Sequence, residues 1–281
     1  MTGNALRSAA LMAVLITLFA LIGQALGGTT GLLLAFGIAV ALNFASYWFS
    51  DRIVLRMYKG REIFRTDAPE LYDMVDRLRQ RADLPMPRVV LIPSPQPNAF
   101  ATGRNPENAA VAFTEGILRA LPADELAGVT AHELAHIKHR DILTSSVAAT
   151  LGSAITLLAR FAIFVPMGGN RDGGNALQGL LLMILAPIAA VLIQMAISRA
   201  REFEADRGGA EISGDPMALA RALVRLERGA EAIPAEASPS TSHMFIVNPF
   251  SGAMGGIAGL FRTHPPTDDR VARLEALATG R

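Results

Sequence analysis

Residues 132–136 read His-Glu-Leu-Ala-His, an H-E-x-x-H pattern within a stretch of helical periodicity. Residues i and i+4 of a helix lie one turn apart on the same face, so His132 and His136 can both bind one Zn²⁺ ion at about 2.0–2.1 Å. Glu133 projects beside that face, where its carboxylate can take a proton from a zinc-activated water. This is the chemistry of peptide-bond hydrolysis. In the alternative interpretation, the two histidines only pair with carboxylates.

A catalytic zinc site uses three protein ligands and one open position, so a third ligand must come from elsewhere in the chain. The charged stretch 198–206 supplies Glu202 and Asp206, which share one helical face at i and i+4. One carboxylate can bind zinc while the other accepts the N–H of a ligand histidine, and the spacing leaves open which does which. The alternative is a solvated helix start with Glu and Arg pairs.

His139 is a further candidate ligand, because it follows His136 by three residues. The extended pattern in which a third histidine binds the metal has a helix-ending glycine between them, and none is present here. We therefore interpret His139 as a polar residue near the end of the helix or the membrane boundary.

The composition is unusual for a soluble enzyme. The chain has 281 residues, of which 51% are hydrophobic and 18% are charged, where soluble proteins carry roughly 25% charged residues. The formal net charge of +1 provides no basic field for nucleic acid, so we exclude that class of partner. The absence of cysteine excludes disulfide scaffolds and thiolate zinc sites.

Long apolar runs indicate a membrane protein. About 20 apolar residues cross the hydrocarbon core as a helix, and Ala9–Leu26 and Leu32–Phe49 are two such runs with a glycine-rich reversal between them at 27–31. They predict a helical hairpin. The alternative is a cleaved signal peptide, which fits poorly because a second span follows the first immediately.

Two further runs, Ile142–Pro166 and Leu177–Ile197, predict a third and a fourth span joined by a glycine-rich connection. The third contains Arg160, which is costly in lipid, so a re-entrant or protein-packed helix is its alternative. Basic residues flank the first hairpin on both sides, and such flanks stay in the cytoplasm. The basic residues of these flanks are Arg7, Arg52, Arg56, Lys59, Arg61 and Arg65.

The polar segments carry short elements around the metal motif. Residues 88–93 predict a strand, and 98–103 with 109–114 predict a hairpin. The motif helix is predicted from about Ala123 to Arg140 and a last helix over 267–278. Two further helices are predicted to start after Asp67 and Asp215, and each aspartate is the predicted N-cap of its helix. The stretch 230–263 is too apolar for a free linker, so we interpret it as a packed or lid-like loop.

Three motifs together resemble those of a known family. They are His-Glu-Leu-Ala-His at 132–136, Ser-Arg-Ala-Arg-Glu-Phe-Glu-Ala-Asp at 198–206 and His-Pro-Pro-Thr-Asp-Asp-Arg at 264–270. Their order, with the apolar runs, is similar over nearly the whole chain to the M48 peptidases, and among these to bacterial membrane proteases of the HtpX type. The resemblance implies one Zn²⁺ per chain, Glu202 as its third protein ligand, Glu133 as the catalytic base and Asp206 as the support of a ligand histidine.

The resemblance also implies roles that the spacing does not show. His264 and Arg270 would stabilise the developing oxyanion or hold the substrate backbone. Asn98 would lie at the start of an edge strand that pairs with extended substrate. The alternatives are a turn histidine before two prolines for His264 and an ordinary turn residue for Asn98.

The fold class implied is a mainly α membrane protein. It would have up to four transmembrane helices and an α+β cytoplasmic zinc-metalloprotease domain, built from the H-E-x-x-H helix and a small β-sheet. The predicted divisions are a transmembrane hairpin at 1–50, the two parts of the catalytic domain at 51–141 and 199–281, and a second hydrophobic hairpin at 142–198.

The function implied is a zinc endopeptidase of the bacterial inner membrane, multi-pass, with its active site facing the cytoplasm. Its partners would be the lipid bilayer and unfolded or damaged membrane proteins, which it would cleave in quality control under stress, and its oligomeric state stays open. One alternative is a non-catalytic membrane assembly or transport protein with a structural metal. Another is a specific processing protease.

Overall fold

The computed structural model describes residues 3–150, 199–232, 244–247 and 264–280. Most of the predicted third span, all of the fourth and most of the stretch 230–263 lie outside these residues. Residues 142–150, at the start of the predicted third span, are helical.

The first helix, α1 (Gly3–Met57), reverses direction where the sequence predicts it. The backbone leaves helical geometry at Gly27 and Gly28, and the φ of +57° at Gly28 is one that glycine adopts without steric cost. Asn43 Nδ2 donates to the carbonyl oxygen of Met12 at 3.4 Å, so the second arm lies against the first. Within the described residues, Gly27–Met57 is the one helix apolar and long enough to cross a membrane, with a mean hydropathy of 1.8.

A four-stranded mixed sheet follows, in the order β1, β2, β4, β3. Its strands are β1 (Arg61–Ile63), β2 (Arg88–Ile92), β3 (Ala99–Gly103) and β4 (Ala109–Thr114). β4 pairs parallel with β2 and antiparallel with β3, which leaves β3 at one edge. The predicted strand and hairpin are confirmed. The short β1, antiparallel to β2, is an addition that its three residues were too few to predict.

The helices of the polar segments are α2 (Pro69–Arg81), α3 (Glu115–Ala120), α4 (Ala123–Lys138), α5 (Arg199–Ser213), α6 (Pro216–Ala232) and α7 (Thr267–Ala278). The cap predicted at Asp215 is confirmed, since its Oδ1 accepts from Ala218 N at 2.9 Å. The cap predicted at Asp67 is wrong. The carboxylate of Asp67 instead turns back and accepts from the N–H of Phe64 at 2.8 Å.

The sheet separates two apolar layers. On one face, α2, α4, α6 and α7 bury a core that includes Val111, Phe113, Leu134 and Leu223. On the other face, the end of α1 packs Val54 and Leu55 against the sheet. The end of α1 therefore packs against the sheet on the face opposite to the motif helix α4.

The helices α4 and α5 approach each other closely at Gly209. A side chain at this position would come within 2.8 Å of the backbone of His132, so only glycine permits the contact. Because Glu202 and Asp206 lie on α5, this approach brings both carboxylates to the histidines of α4.

Candidate metal centre

The two motif histidines and Glu202 form one group. His132 Nε2 and His136 Nε2 lie 3.1 Å apart, as expected for side chains one helical turn apart. The Glu202 carboxylate lies 3.8 Å from His132 Nε2 and 3.7 Å from His136 Nε2. All three ligand atoms fall within 4.8 Å of one another. His139 is not part of this group and caps the C-terminus of α4.

This donor set fits zinc. Two imidazole nitrogens and one carboxylate oxygen are a ligand set typical of catalytic zinc sites, which keep a fourth position for water or substrate. The separations match atoms that share one ion at about 2 Å, and the group faces a cleft.

A carboxylate lies behind each histidine. Asp206 Oδ1 is 3.0 Å from His132 Nδ1, and Asp141 Oδ2 is 3.1 Å from His136 Nδ1. Such contacts orient a ligand imidazole and leave Nε2 to bind the metal. Asp206 thus lies where the resemblance implies. Asp141 was missed, although a carboxylate three residues after the end of the motif helix was a usable signal.

Charged neighbours dominate the electrostatics of these ligands. Burial lowers the pKa of His136, but Asp141 and Glu202 outweigh this effect and raise it to about 10. Burial raises the pKa of Glu202, but the pKa lies well below its usual range because His264 and His136 favour the ionised carboxylate. In both cases the neighbouring opposite charges stabilise the ionised form more than burial destabilises it.

His264 lies at the cleft beside Glu202. Its Nδ1 is 3.0 Å from Glu202 Oε2, and its ring is among the groups that line the cleft. Among the described residues, its Nε2 is buried without a hydrogen-bond partner. The ring therefore has a polar atom for a group that enters the cleft.

Arg270 is buried and bonded to Asp206 and Ile246. Its Nε and Nη2 donate to the two carboxylate oxygens of Asp206 at 2.8 and 2.6 Å, and its Nη1 donates to the carbonyl oxygen of Ile246 at 2.9 Å. Burial raises the pKa of Asp206, but the guanidinium outweighs it and holds that pKa well below its usual range. Arg270 is not among the described residues that line the cleft, and its Nη2 lies 4.0 Å from Glu202 Oε2.

Asn98 is likewise turned away from the cleft. Its Nδ2 donates to the carbonyl oxygen of Met244 at 3.3 Å, and its Oδ1 accepts from the N–H of Ile246 at 3.1 Å. Asn98 lies directly before the edge strand β3, as the resemblance implies, and its side chain holds the segment 244–247. Met244, Phe245 and Ile246 of that segment form one wall of the cleft.

Glu133 lies between the metal group and the edge strand. Its Oε2 accepts from the backbone N–H of Ala101 on β3 at 2.7 Å. Burial raises the pKa of Glu133 and outweighs the nearby histidines, which act in the opposite direction. A carboxylate of raised pKa beside a metal site is suited to accept a proton from water.

The edge strand β3 contributes Phe100 and Ala101 to the lining of the cleft. Thr114 N–H donates to the Asn98 carbonyl at 3.0 Å, and bonded pairs alternate along an antiparallel ladder. The N–H groups of Ala99, Ala101 and Gly103 therefore point away from β4. Apolar groups that include Phe100 and Ile142 line the cleft beside this edge.

Comparisons with known proteins agree with this geometry. Residues 65–278 match Peptidase family M48. A "Protease HtpX homolog" of Salinibacter ruber is 66% identical over 275 residues and covers 98% of both chains. Proteins of the same name from Methylibium petroleiphilum and Burkholderia thailandensis are 56% and 57% identical and cover 99% of both chains.

A solved structure has a similar fold. The crystal structure of S. mikatae Ste24p superposes with a TM-score of 0.51 at 19% identity, over 96% of this chain. This chain spans 64% of the length of that protein. The family match over most of the chain and the full-length similarity to HtpX homologues show that this protein belongs to peptidase family M48, among its membrane-bound metalloproteases of the HtpX type.

Proposed function

We propose that this protein is a zinc-dependent endopeptidase that hydrolyses peptide bonds of misfolded or damaged membrane proteins, with Glu133 as the general base. The observation that carries the proposal is the position of Glu133, adjacent to the group of His132, His136 and Glu202 and bonded to the edge strand at 2.7 Å. A zinc ion held by that group would activate a water and polarise a substrate carbonyl.

The residues of the chain divide the remaining work. Glu133 accepts the proton of the water and passes it to the leaving amine. The outward N–H of Ala99 and the outward C=O groups of Ala99 and Ala101 pair with an extended substrate backbone. This pairing accepts many sequences because it involves only main-chain groups. His264, which lines the cleft with its Nε2 unpaired among the described residues, donates to the carbonyl oxygen of the substrate as that oxygen gains negative charge.

Arg270 and Asn98 act on the site indirectly in this proposal. Arg270 holds Asp206 and thereby the ring of His132, since its guanidinium donates to both oxygens of that carboxylate. Asn98 holds Met244 and Ile246 against the cleft through two main-chain bonds. Both residues are positioning residues, in place of the direct substrate contacts that the resemblance implies.

The proposed location is the bacterial inner membrane, as a multi-pass protein with the metal group facing the cytoplasm. The basic residues Arg52 and Arg56 at the end of the apolar helix support this orientation, because positively charged flanks stay in the cytoplasm. Unfolded membrane proteins are suitable substrates, since strand pairing requires an extended chain and the apolar wall accepts side chains that a folded protein buries.

Metal content and casein cleavage of detergent-purified protein test this proposal. The wild type should bind about one zinc ion per chain and cleave. Glu133→Gln should keep the zinc and lose at least about a hundredfold in rate, and Glu202→Ala should lose both. Glu204→Ala, an exposed carboxylate two residues along α5, is the matched control and should change neither.

Two results would reject parts of the proposal. Cleavage by Glu133→Gln at the wild-type rate, in a preparation free of contaminating protease, would exclude Glu133 as the base. Full zinc content in Glu202→Ala would place the third ligand elsewhere. A structural metal in a non-catalytic protein predicts zinc binding without cleavage by the wild type.

A further inference from the structure

The continuous apolar surface of α1 ends at an aromatic cluster around Trp48. Exposed apolar side chains follow the second arm of the helix, from Leu33 to Phe44, and an aromatic cluster of Tyr47, Trp48 and Phe49 comes after them. No charged residue occurs between Ser8 and Ser50, and Asp51 and Arg52 are the first. Tryptophan and tyrosine concentrate where hydrocarbon meets water, so Trp48 marks the membrane surface.

The length of α1 gives the same boundary. The reversal at Gly28 and the ring-bearing residue Trp48 are separated by 20 positions in the sequence. At 1.5 Å per residue this arm is about 30 Å long, the thickness of the hydrocarbon core.

The edge strand β3 runs alongside α1 beyond that boundary. Arg104, the residue after β3, stacks its guanidinium over the ring of Trp48 at 4.7 Å, and its Nη1 donates to the Trp48 carbonyl oxygen at 3.4 Å. Phe100, near the other end of β3, packs on Tyr58 with ring centroids 5.6 Å apart. The two contacts are about 15 Å apart along the helix and about 13 Å apart along the strand. The strand therefore stands close to parallel with the membrane helix.

A second strand confirms this direction. Arg88 at the start of β2 forms an ion pair with Asp51, one turn beyond Trp48. Val90 and Ile92, further along the same strand, pack in one cluster with Val54 and Leu55. β2 and β3 thus both extend away from the membrane along α1, with opposite chain directions.

These contacts give the distance of the proposed base, Glu133, from the membrane surface at Trp48. Glu133 is bonded to Ala101, which precedes Arg104 by three residues along β3. Three extended residues correspond to about 10 Å. A second measure uses the helix. Phe100 packs near Val54 and Tyr58, which follow Trp48 by 6 and 10 residues. At 1.5 Å per residue, Phe100 therefore lies about 9–15 Å from the membrane surface.

The part of β3 nearest the membrane is closed to substrate. Ser146 Oγ accepts from the N–H of Gly103 at 3.2 Å and shares a hydrogen bond of 2.7 Å with Thr102 Oγ1. The helical segment 142–150 therefore covers the outer edge of β3 below Ala101. A substrate strand can therefore pair only with the upper edge, at the N–H and C=O of Ala99 and the C=O of Ala101, because the N–H of Ala101 is bonded to Glu133.

We propose that the enzyme spares the peptide bonds within about three residues of the membrane surface and cleaves membrane-anchored chains only beyond that distance. An extended chain covers about 3.3–3.6 Å per residue, so about three residues are needed to rise 10 Å from the bilayer to Glu133. This inference rests on the proposed protease function and defines where on a membrane protein that activity acts.

Anchored and free forms of one substrate test the inference. A single transmembrane helix is followed by about 20 residues of a uniform cleavable repeat, and the free form is the same repeat without the helix. Both are incubated with wild-type enzyme in liposomes, and the cut bonds are mapped by mass spectrometry. Glu133→Gln enzyme is the control for contaminating protease.

We expect the free repeat to be cut throughout, and the first three or so bonds of the anchored repeat to survive at least tenfold longer than the later ones. Equal cleavage of these bonds in both forms would overturn the inference and leave the protease function intact. No cleavage of either form would contradict the protease function and the inference with it.

The position of Trp48 can be measured without any activity, because it is the single tryptophan of the chain. Its fluorescence in liposomes should be quenched most by lipids brominated near the headgroup end of the acyl chain. Stronger quenching by bromine near the bilayer centre, or no quenching by any of the lipids, would overturn the height that we derive.

Discussion

The backbone N–H of Ala101 donates to Oε2 of Glu133 over 2.7 Å. The edge strand that is available to pair with substrate is thus bonded directly to the proposed base. Because the donor is a main-chain N–H, proline is the substitution that removes it.

Ala101→Pro should therefore lower kcat while zinc stays bound. Loss of one hydrogen bond to a buried carboxylate is worth about 1.5–3 kcal/mol, which corresponds to roughly 10–100-fold in rate. Ala99→Pro is the matched control, because its N–H also points away from β4 and makes no bond to Glu133. The loss of its pairing with substrate should raise KM and leave kcat near the wild-type value. An equal loss of kcat in both variants would show that strand distortion, and not the lost bond, is responsible.

Asp141→Asn should weaken zinc binding. Asp141 Oδ2 lies 3.1 Å from His136 Nδ1, and loss of a carboxylate behind a ligand histidine costs roughly 10–100-fold in metal affinity. Competition with a chelator measures the effect. Asp269→Asn, an exposed carboxylate on α7, should bind zinc like the wild type. Wild-type affinity in Asp141→Asn would show that Asp141 does not support His136.

Zinc affinity should rise with pH between about 6 and 9. The pKa of His136 is raised to about 10, so this imidazole carries a proton throughout that range. The proton must leave before Nε2 can bind zinc, and each released proton changes the apparent affinity by up to about tenfold per pH unit. Chelator competition at several pH values gives the slope, after correction for the chelator's own protonation. An affinity independent of pH would contradict the raised pKa.

Arg270→Gln should destabilise the protein. Arg270 and Asp206 are 2.6 Å apart with side chains only 1% and 3% exposed, and an unpaired buried charge costs about 3–5 kcal/mol. The midpoint of thermal unfolding should fall by roughly 6–20 °C. Arg65→Gln breaks the surface pair with Asp73 and should cost at most about 1 kcal/mol. Similar midpoints for the two variants would mean that the buried pair contributes no more than a surface one.

Asn98→Ala should release the segment 244–247. The N–H of Ile246 donates to Asn98 Oδ1 at 3.1 Å, so this amide should exchange with deuterium faster once the acceptor is gone. Zinc content should not change. Asn108→Ala removes an amide of the β3–β4 turn instead and is the control. Unchanged exchange at Ile246 would show that Asn98 does not hold the segment.

Local periodicity explains what could be predicted. The ligand pair His132 and His136 follows from the 3.6-residue repeat alone, and so does the position of Glu133 beside them. The reversal at Gly28 and the β3–β4 hairpin depend on residues a few positions apart, and both were predicted. Short-range preferences failed where two local partners compete, as at Asp67, whose carboxylate bonds to the N–H of Phe64 and caps no helix.

The tertiary structure decided which residues complete the site. Glu202 and Asp206 are equivalent by spacing, and only the close packing of α5 on α4 at Gly209 turns one towards the cleft and the other towards His132 Nδ1. Arg270 bonds to Asp206, and Asn98 bonds to the segment 244–247, across more than sixty positions of the sequence. By itself the sequence determined the chemistry, because ligand types and helical spacing are local properties. Which carboxylate binds and which supports, and how far the base stands from the membrane, depend on packing between distant segments, which no local pattern encodes.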